Sequence, residues 1–535
     1  MDQFLNNFHI RDFSKIGKSN IFSSNAMVVS SHPIASNIGI DVLKNGGNAV
    51  DAALAMSAVL CVAEPHMTGV GGDCFAMLSI DGSTKIKALN GSGKSSQNTS
   101  SKKLRDNGFK IITSEMPEAV TIPGSVAAWS LLHKEHGHMP WKDIFKPAIE
   151  FAKLGVIIHE RVAFDWEKNV SKLSKDIDTA KLFLKDGNEY KVKDKFINLG
   201  LSDVFETISH DGQDGFYKDW IAKDICQKLL SVGGNQSLND FKKASAEWVV
   251  PITGTYRNIK LHECPPNGQG IVAIIILAII EKFNISSLSN ADYMHIFCEA
   301  SKIGYFLRDK YLSDFHNNKL SIEEFLTSKL IDRYASMIDL KQAKYFTKSD
   351  FPDHADTIYL SVRDKKGMTI SFINSLFDAF GSGITAPKSG VLLHCRGRGF
   401  NLKEGHPNEL KPNKRPLHTI IPAMLSQNDK LLGSFGVMGG QYQAAGHAYV
   451  LSQIIDFGLN PQQALNYPRL FPNNDTLDIE SSFDKDLIDE LSSRGHKINY
   501  PSDLIGGGQM ILIDNDNKVL IGASDWRKDG LAIGY

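Results

Sequence analysis

What this chain has in short supply is the first guide to what it does. Its 59 basic and 60 acidic residues leave a formal net charge of -1, so it lacks the long-range field used by nucleic-acid binders and by proteins held on anionic membranes. Only six cysteines occur, at 61, 74, 226, 264, 298 and 395, and no two form a Cys-x-x-Cys pair. That spacing argues against a disulfide framework or a zinc knuckle. Long hydrophobic runs are also missing: Ile271 to Ile280 is the longest, about half of what a bilayer span needs. Met1 to Asn7 shows no basic region followed by an apolar stretch, the pattern of a secretion signal. The absences point to a cytoplasmic protein with a small-molecule partner, not a nucleic acid or a membrane.

What is present is a chain of 535 residues, long enough for a large buried core. From Ile34 to Leu43 small and apolar residues recur at helical spacing, and Gly46-Gly47 stop that helix. Asn48 is placed to cap a second, alanine-rich helix running to about Val62. Cys74 to Ile80 and Lys85 to Leu89, joined across Asp81-Gly82, read as a β-hairpin. A helix from Pro123-Gly124-Ser125 opens a largely helical, charged stretch to about 245, with its most polar part at 171–195 on the surface. An apolar helix spans 271–283, and helices continue to about 345. After a polar loop at 348–356 the pattern alternates, predicting a hairpin of Thr357–Val362 and Met368–Asn374. Further strands are expected at 431–437, 509–513 and 519–523, with a long helix after Gly440. Strands in the tail half and helices in both halves indicate an α+β sandwich.

Two places carry chemistry. A threonine hydroxyl is a poor nucleophile without a base beside it. Cutting the chain before Thr357 frees an α-amino group whose reference pKa of about 7.7 to 8 suits that role. Thr357 starts a rigid strand and follows a polar loop, although strand propensity alone also accounts for a threonine there. The second place is Gly436-Val-Met-Gly-Gly-Gln441, a strand, a double glycine and a helix start. Such a turn either holds an oxyanion on its N–H groups or is simply tight.

Taken in order, Asn45-Gly-Gly-Asn-Ala-Val-Asp-Ala-Ala53, Glu64-Pro-His-Met-Thr-Gly-Val-Gly-Gly-Asp73, Asp356-Thr-Ile-Tyr-Leu-Ser-Val362, Phe380-Gly-Ser-Gly383, Ser389-Gly-Val-Leu-Leu393, Lys414-Arg-Pro416, Gly439-Gly440 and Gly522-Ala-Ser-Asp-Trp-Arg527 to Gly534-Tyr535 resemble the γ-glutamyltransferase family from about residue 25 to the end. That resemblance implies a four-layer αββα sandwich of the N-terminal-nucleophile hydrolase type. It implies a zymogen that cleaves itself between Asp356 and Thr357 into a large segment, 1–356, and a small one, 357–535, interleaved in one domain. It also implies a reaction in which Thr357 attacks an amide, Gly439 and Gly440 hold the oxyanion, and water or an amine accepts the acyl group. Ser375 falls where the family places a hydroxyl supporting the nucleophile.

The resemblance also exposes departures. Where the family carries an arginine for the donor's carboxylate, Ser92 stands; the aspartate for its ammonium falls at Gly399; the expected serine pair is His418-Thr419; and Ile358 replaces a small hydroxyl residue. Recognition is altered while the acyl-transfer machinery is kept, so the donor need not be a γ-glutamyl compound. Ser92, His418 and Thr419 remain candidates for the binding site. Arg396 and Arg398 are either new carboxylate partners or surface arginines in a turn. Gly91-Ser-Gly-Lys-Ser95 lacks the first glycine of a phosphate loop, and His133, His136 and His138 lack a completing ligand, so no cofactor and no metal is expected. Two other readings stand beside this one: a true glutathione hydrolase, and an unprocessed binding protein on the same scaffold.

Overall fold

The computed structural model describes residues 8–14, 17–314, 322–344 and 356–535. Residues 348–355 of the expected polar loop, and the Met1–Asn7 terminus, lie outside the described residues.

Two seven-stranded antiparallel sheets lie face to face. In spatial order one holds Ile21–Ser23, Val519–Ser524, Gly507–Asp514, Lys430–Met438, Ala423–Gln427, Ile259–Glu263 and Ile252–Tyr256. The other holds Leu531–Gly534, Met27–Ser30, Asp356–Arg363, Thr369–Phe377, Asp73–Ser79, Lys87–Gly91 and Glu247–Val249. Helices Gly270–Ile280 and Tyr442–Ile455 cover the outer face of the first sheet, and helices Pro33–Lys44 and Ala49–Ala63 that of the second. The chain is thus the four-layer αββα sandwich that the resemblance implies.

Local chemistry explains the elements that were legible. Asn48 caps Ala49–Ala63 with a reciprocal box to Asp51. All fifteen residues of that helix are buried, and its small side chains let it fit between the sheet and outer helices. Asp81 and Gly82 take positive φ, 53° and 70°, and close the first hairpin. Strand Asp356–Arg363 splits its side chains by parity: Ile358, Leu360 and Val362 face the helices, while Tyr359 joins Phe75, Met77, Ile373, Met424 and Ile511 between the sheets.

The distribution of strands departs from the expectation. Met27–Ser30, Ile252–Tyr256, Ile259–Glu263, Ala423–Gln427 and Leu531–Gly534 were not foreseen: four or five residues are too few to establish a period, and Met27–Ser30 and Ala423–Gln427 are buried on both faces besides. Strands come from both halves, and each sheet mixes residues from before and after position 356.

The sheets can approach at Tyr359 only because Gly436 has no side chain: a Cβ there would lie 2.3 Å from the ring. One layer along, Ser361 Oγ and Ser434 Oγ share a hydrogen bond of 2.5 Å across the sheets. We expect Gly436→Ala to cost about 1–3 kcal/mol by overpacking. Adding Tyr359→Leu should recover part of that loss in a urea-melt double-mutant cycle, and strict additivity would contradict the contact.

Candidate active site

Thr357 lies at an irregularity between its strand and the neighbouring one. Asp356 pairs with Phe377 and Ile358 with Asn374, so Thr357 alone faces the two residues Ser375 and Leu376. Such a bulge re-aims side chains. Here the Thr357 hydroxyl, fully buried, stands 3.0 Å from Ser375 Oγ.

Ser375 is held in place by further contacts. A serine oxygen has two lone pairs and one proton. Ser375 Oγ already accepts from Arg396 Nη2 at 3.0 Å and from the Phe377 N–H at 2.9 Å. The Ser375 and Thr357 hydroxyls lie within hydrogen-bond distance of each other, and either can donate. Thr357 Oγ1 also accepts from Gln443 Nε2 at 3.4 Å. The Gln443 contact favours negative charge on the threonine oxygen.

Arg396 is fully buried in the turn Arg396–Gly399, and its other terminal nitrogen donates to Thr419 Oγ1 at 2.9 Å. It stacks 4.3 Å over the ring of Phe377, a residue held at φ 83°, where an aromatic side chain is strained. Burial lowers the guanidinium to about 10, with Asp73 acting in the opposite sense, so the group is a cation at any physiological pH. It is not a surface arginine. Arg398 is the more open of the two: it pairs with Asp378 and donates to Ser114 Oγ at 3.2 Å.

Asp73 is the nearby anion. Its Oδ1 accepts the N–H groups of Gly93 and Gly124 at 3.1 and 3.0 Å, and its Oδ2 accepts from His418 Nε2 at 3.1 Å. Burial alone would raise its pKa, but His394, the His418 hydrogen bond and Arg396 outweigh it and hold the carboxyl below its ordinary range. Burial, then Arg396, pushes His418 down to about 3, so its ring is neutral at pH 7.

Gly439 and Gly440 follow strand Lys430–Met438 and precede helix Tyr442–Ile455. Their φ values are 111° and 52°. Among the described residues no hydrogen-bond acceptor is taken up by either N–H, which suits a pair of donors reserved for an oxyanion. The turn is braced from the other half of the chain: Gln269 Nε2 donates to the carbonyls of Gly440 and Thr419 at 3.0 and 2.9 Å, and Arg308 donates to Gln269 Oε1 at 2.7 Å and to Gln441.

The fold thus joins Thr357, Ser375, Arg396 and Thr419 into one hydrogen-bonded chain. Ser92 lies elsewhere in the buried network, its Oγ accepting from Asn267 Nδ2 at 3.0 Å. A cleft of about 320 Å³ opens beside the turn, lined by Gly439, Tyr442, Asp378, Arg398, Lys172 and Arg161 among others. Asp356 begins the strand that carries Thr357. Sequence reasoning missed Gln443, Phe377 and Asp73 as parts of the site. Asp73 closes the block Glu64–Asp73 and was thus within reach of the motif. Gln443 and Phe377 carried no signal of their own.

Comparison with known proteins finds relatives along nearly the whole chain. The family model for gamma-glutamyltranspeptidase matches residues 35–535. The Glutathione hydrolase-like YwrD proenzyme of Bacillus subtilis (strain 168) is 32% identical, over 96% of this chain and 99% of the relative. The Glutathione hydrolase proenzyme of Escherichia coli (strain K12) is 31% identical, over 95% and 92%. Among solved structures, the cephalosporin acylase from Bacillus halodurans superposes with a TM-score of 0.91 at 33% identity, covering 99% of both chains.

The buried histidines set an acid limit on stability. His418 and His447, both lowered by burial from an ordinary 6.5 to about 3, stay neutral in the fold while the unfolded chain takes up protons below about pH 6.5. Their stabilisation is therefore present above pH 6.5 and lost as the pH falls toward 3. Thermal melts should decline across that window. His418→Gln, which keeps a donor for Asp73, should flatten the slope, and an unchanged slope would show that His418 does not contribute.

Proposed function

Since the chain belongs to the gamma-glutamyltranspeptidase family, we propose that it cuts itself between Asp356 and Thr357 and then acts as an acyl-transferring amide hydrolase whose donor lacks the amino-acid end of a γ-glutamyl group. The observation that carries this reading is the run Arg396, Ser375, Thr357, in which a buried cation donates to the serine whose hydroxyl meets the threonine oxygen.

In the precursor, Thr357 Oγ attacks the Asp356 carbonyl carbon and the peptide bond shifts to an ester. Water then hydrolyses the ester, leaving Asp356 as a carboxylate and Thr357 with a free α-amine. That amine takes the hydroxyl proton as Oγ attacks the donor's amide carbon. The oxyanion rests on the N–H groups of Gly439 and Gly440, and the proton passes to the departing amine. Water or a second amine then attacks the acyl-threonine and releases the acyl group. No cofactor enters these steps. The products of processing are the segments 1–356 and 357–535, which stay together because each sheet draws strands from both.

Three features support a donor other than γ-glutamyl. Ser92 is engaged with Asn267, in place of the family's carboxylate-binding arginine. At 399 a side chain would start 2.7 Å from the Leu417 carbonyl oxygen, so the turn has no room for the family's aspartate. An α-ammonium would meet the full charge of Arg396, while Asp378 is already paired with Arg398. A carboxylate or a neutral acyl chain meets no such penalty. Arg398, on the cleft wall, is the partner we assign to a carboxylate at the far end of the donor, which would share the guanidinium with Asp378.

Denaturing gels should resolve the mature protein into chains of about 39 and 20 kDa, dividing 59.1 kDa in proportion to 356 and 179 residues; Thr357→Ala should leave one band. A single band from active wild-type protein would end this reading in favour of an unprocessed scaffold. Glutaryl or succinyl anilides should be hydrolysed with higher kcat/KM than the γ-glutamyl anilide, and the reverse order would establish the glutathione hydrolase reading instead. Ser375→Ala should lower kcat about 10- to 100-fold with little change in KM, since its hydrogen bond acts on charge that develops only at the transition state. Ser375→Thr should restore most of the rate.

A further inference from the structure

Away from the cleft, a buried cluster joins the two halves of the chain. His295 and Glu299 lie one turn apart on the same face of helix Asn290–Tyr311. His496 comes from the turn after helix Lys485–Ser493. All three are buried, and one ligand atom of each lies within 4.8 Å of the others.

The hydrogen bonding presents this group as ligands. His295 Nε2 lies 2.8 Å from the Asp339 carbonyl oxygen, which can only accept. The ring's proton is therefore on Nε2, and the Nδ1 lone pair points at His496 Nε2, 2.9 Å away. A backbone carbonyl that fixes the tautomer of a histidine is the usual outer support of a metal-binding imidazole. Two ligand nitrogens on one tetrahedral Zn²⁺, at bonds of about 2.0–2.1 Å, stand about 3.3–3.4 Å apart, so the two rings need to open by only about half an ångström.

We propose that His295 Nδ1, His496 Nε2 and a Glu299 carboxylate oxygen form a structural Zn²⁺ site. Two imidazoles and one carboxylate are a donor set that zinc accepts, and the charge of Glu299 offsets half of the ion's. Binding displaces the His496 Nε2 proton, which moves to Nδ1 of the same ring. Lys302 is the competitor. Its ammonium contacts Glu299 and also donates to the Lys344 carbonyl at 2.5 Å, so it keeps a partner when the metal takes the carboxylate. The remaining cation nearby, Arg494, is occupied by Asp292 and Glu490.

The position gives the site a purpose. His295 and Glu299 precede position 356 and His496 follows it, so after scission the ion would tie the two polypeptides together. Glu299 Oε2 also accepts the N–H of Lys344 at 3.2 Å, which anchors the chain at the point where it leaves for the cleavage segment.

The test uses untagged, mature protein and zinc chloride alone. After incubation and gel filtration, wild type should retain about one equivalent of Zn²⁺ by elemental analysis and lose several degrees of melting temperature on treatment with a strong chelator. Co²⁺ in place of Zn²⁺ should give visible d–d bands of a four- or five-coordinate ion. His496→Gln and, separately, Glu299→Gln should each weaken zinc at least tenfold while retaining the wild-type circular dichroism. Lys302→Met should tighten it. Wild-type protein that stays metal-free in excess zinc with an unmoved melting temperature, or a folded His496→Gln variant that binds as well as wild type, would overturn the proposal. Neither result bears on the cleavage at Thr357, which is read on gels of the same samples.

Discussion

A guanidinium sealed from water cannot shed its charge, and the surroundings of Arg396 are organised to answer it. Asp73 supplies the opposing charge, the Phe377 ring supplies a π face, and Ser375 and Thr419 receive its terminal N–H groups. The consequence reaches Thr357 through one serine. Arg396 and the Phe377 N–H both donate to Ser375, and its hydroxyl meets that of Thr357. Neutral His418 fits the same scheme: a second cation beside Arg396 would cost energy, so the ring serves Asp73 as an uncharged donor.

This arrangement depends on backbone features that lie outside the chemistry. The irregular pairing at Thr357 sets two residues against one and turns the threonine hydroxyl toward Ser375. The glycine turn at 439–440 reaches the same place from the other sheet, so the distance between sheets has to be right. Tyr359 against Gly436 and Ser361 against Ser434 fix that distance one and two layers away. The brace from Gln269 and Arg308 then holds the turn from the half of the chain before the cleavage point. Scission at 356 would leave these contacts intact, since none of them runs through the broken peptide bond. A chain interleaved in this way can be cut without coming apart.

The nucleophile strand was legible because its alternation is strong and its length sufficient, and Asn48, Asp81-Gly82 and Gly439-Gly440 were legible because capping and turn chemistry are local. Short strands such as Met27–Ser30 and Ala423–Gln427 were not, since burial on both faces erases the period by which a strand is read. The arginines at 396 and 398 show a different limit. Their sequence context is a glycine-rich turn in which exposure is the ordinary expectation, yet one is sealed behind Ser375 and the other stands on the cleft wall. His295, Glu299 and His496 make the same point at longer range, because 201 residues separate the two histidines whose nitrogens meet.

The sequence by itself determined the family and the layered fold, and it singled out Thr357, Ser92 and Gly399 as positions to weigh, because each is carried by residue types in a fixed local order. Only the tertiary structure decided what Arg396 touches, that Ser375 meets Thr357, how Asp73 and His418 share charge, and that His295, Glu299 and His496 converge. Those are properties of distance and burial, and they arise from segments that meet only when two sheets and their covering helices have packed.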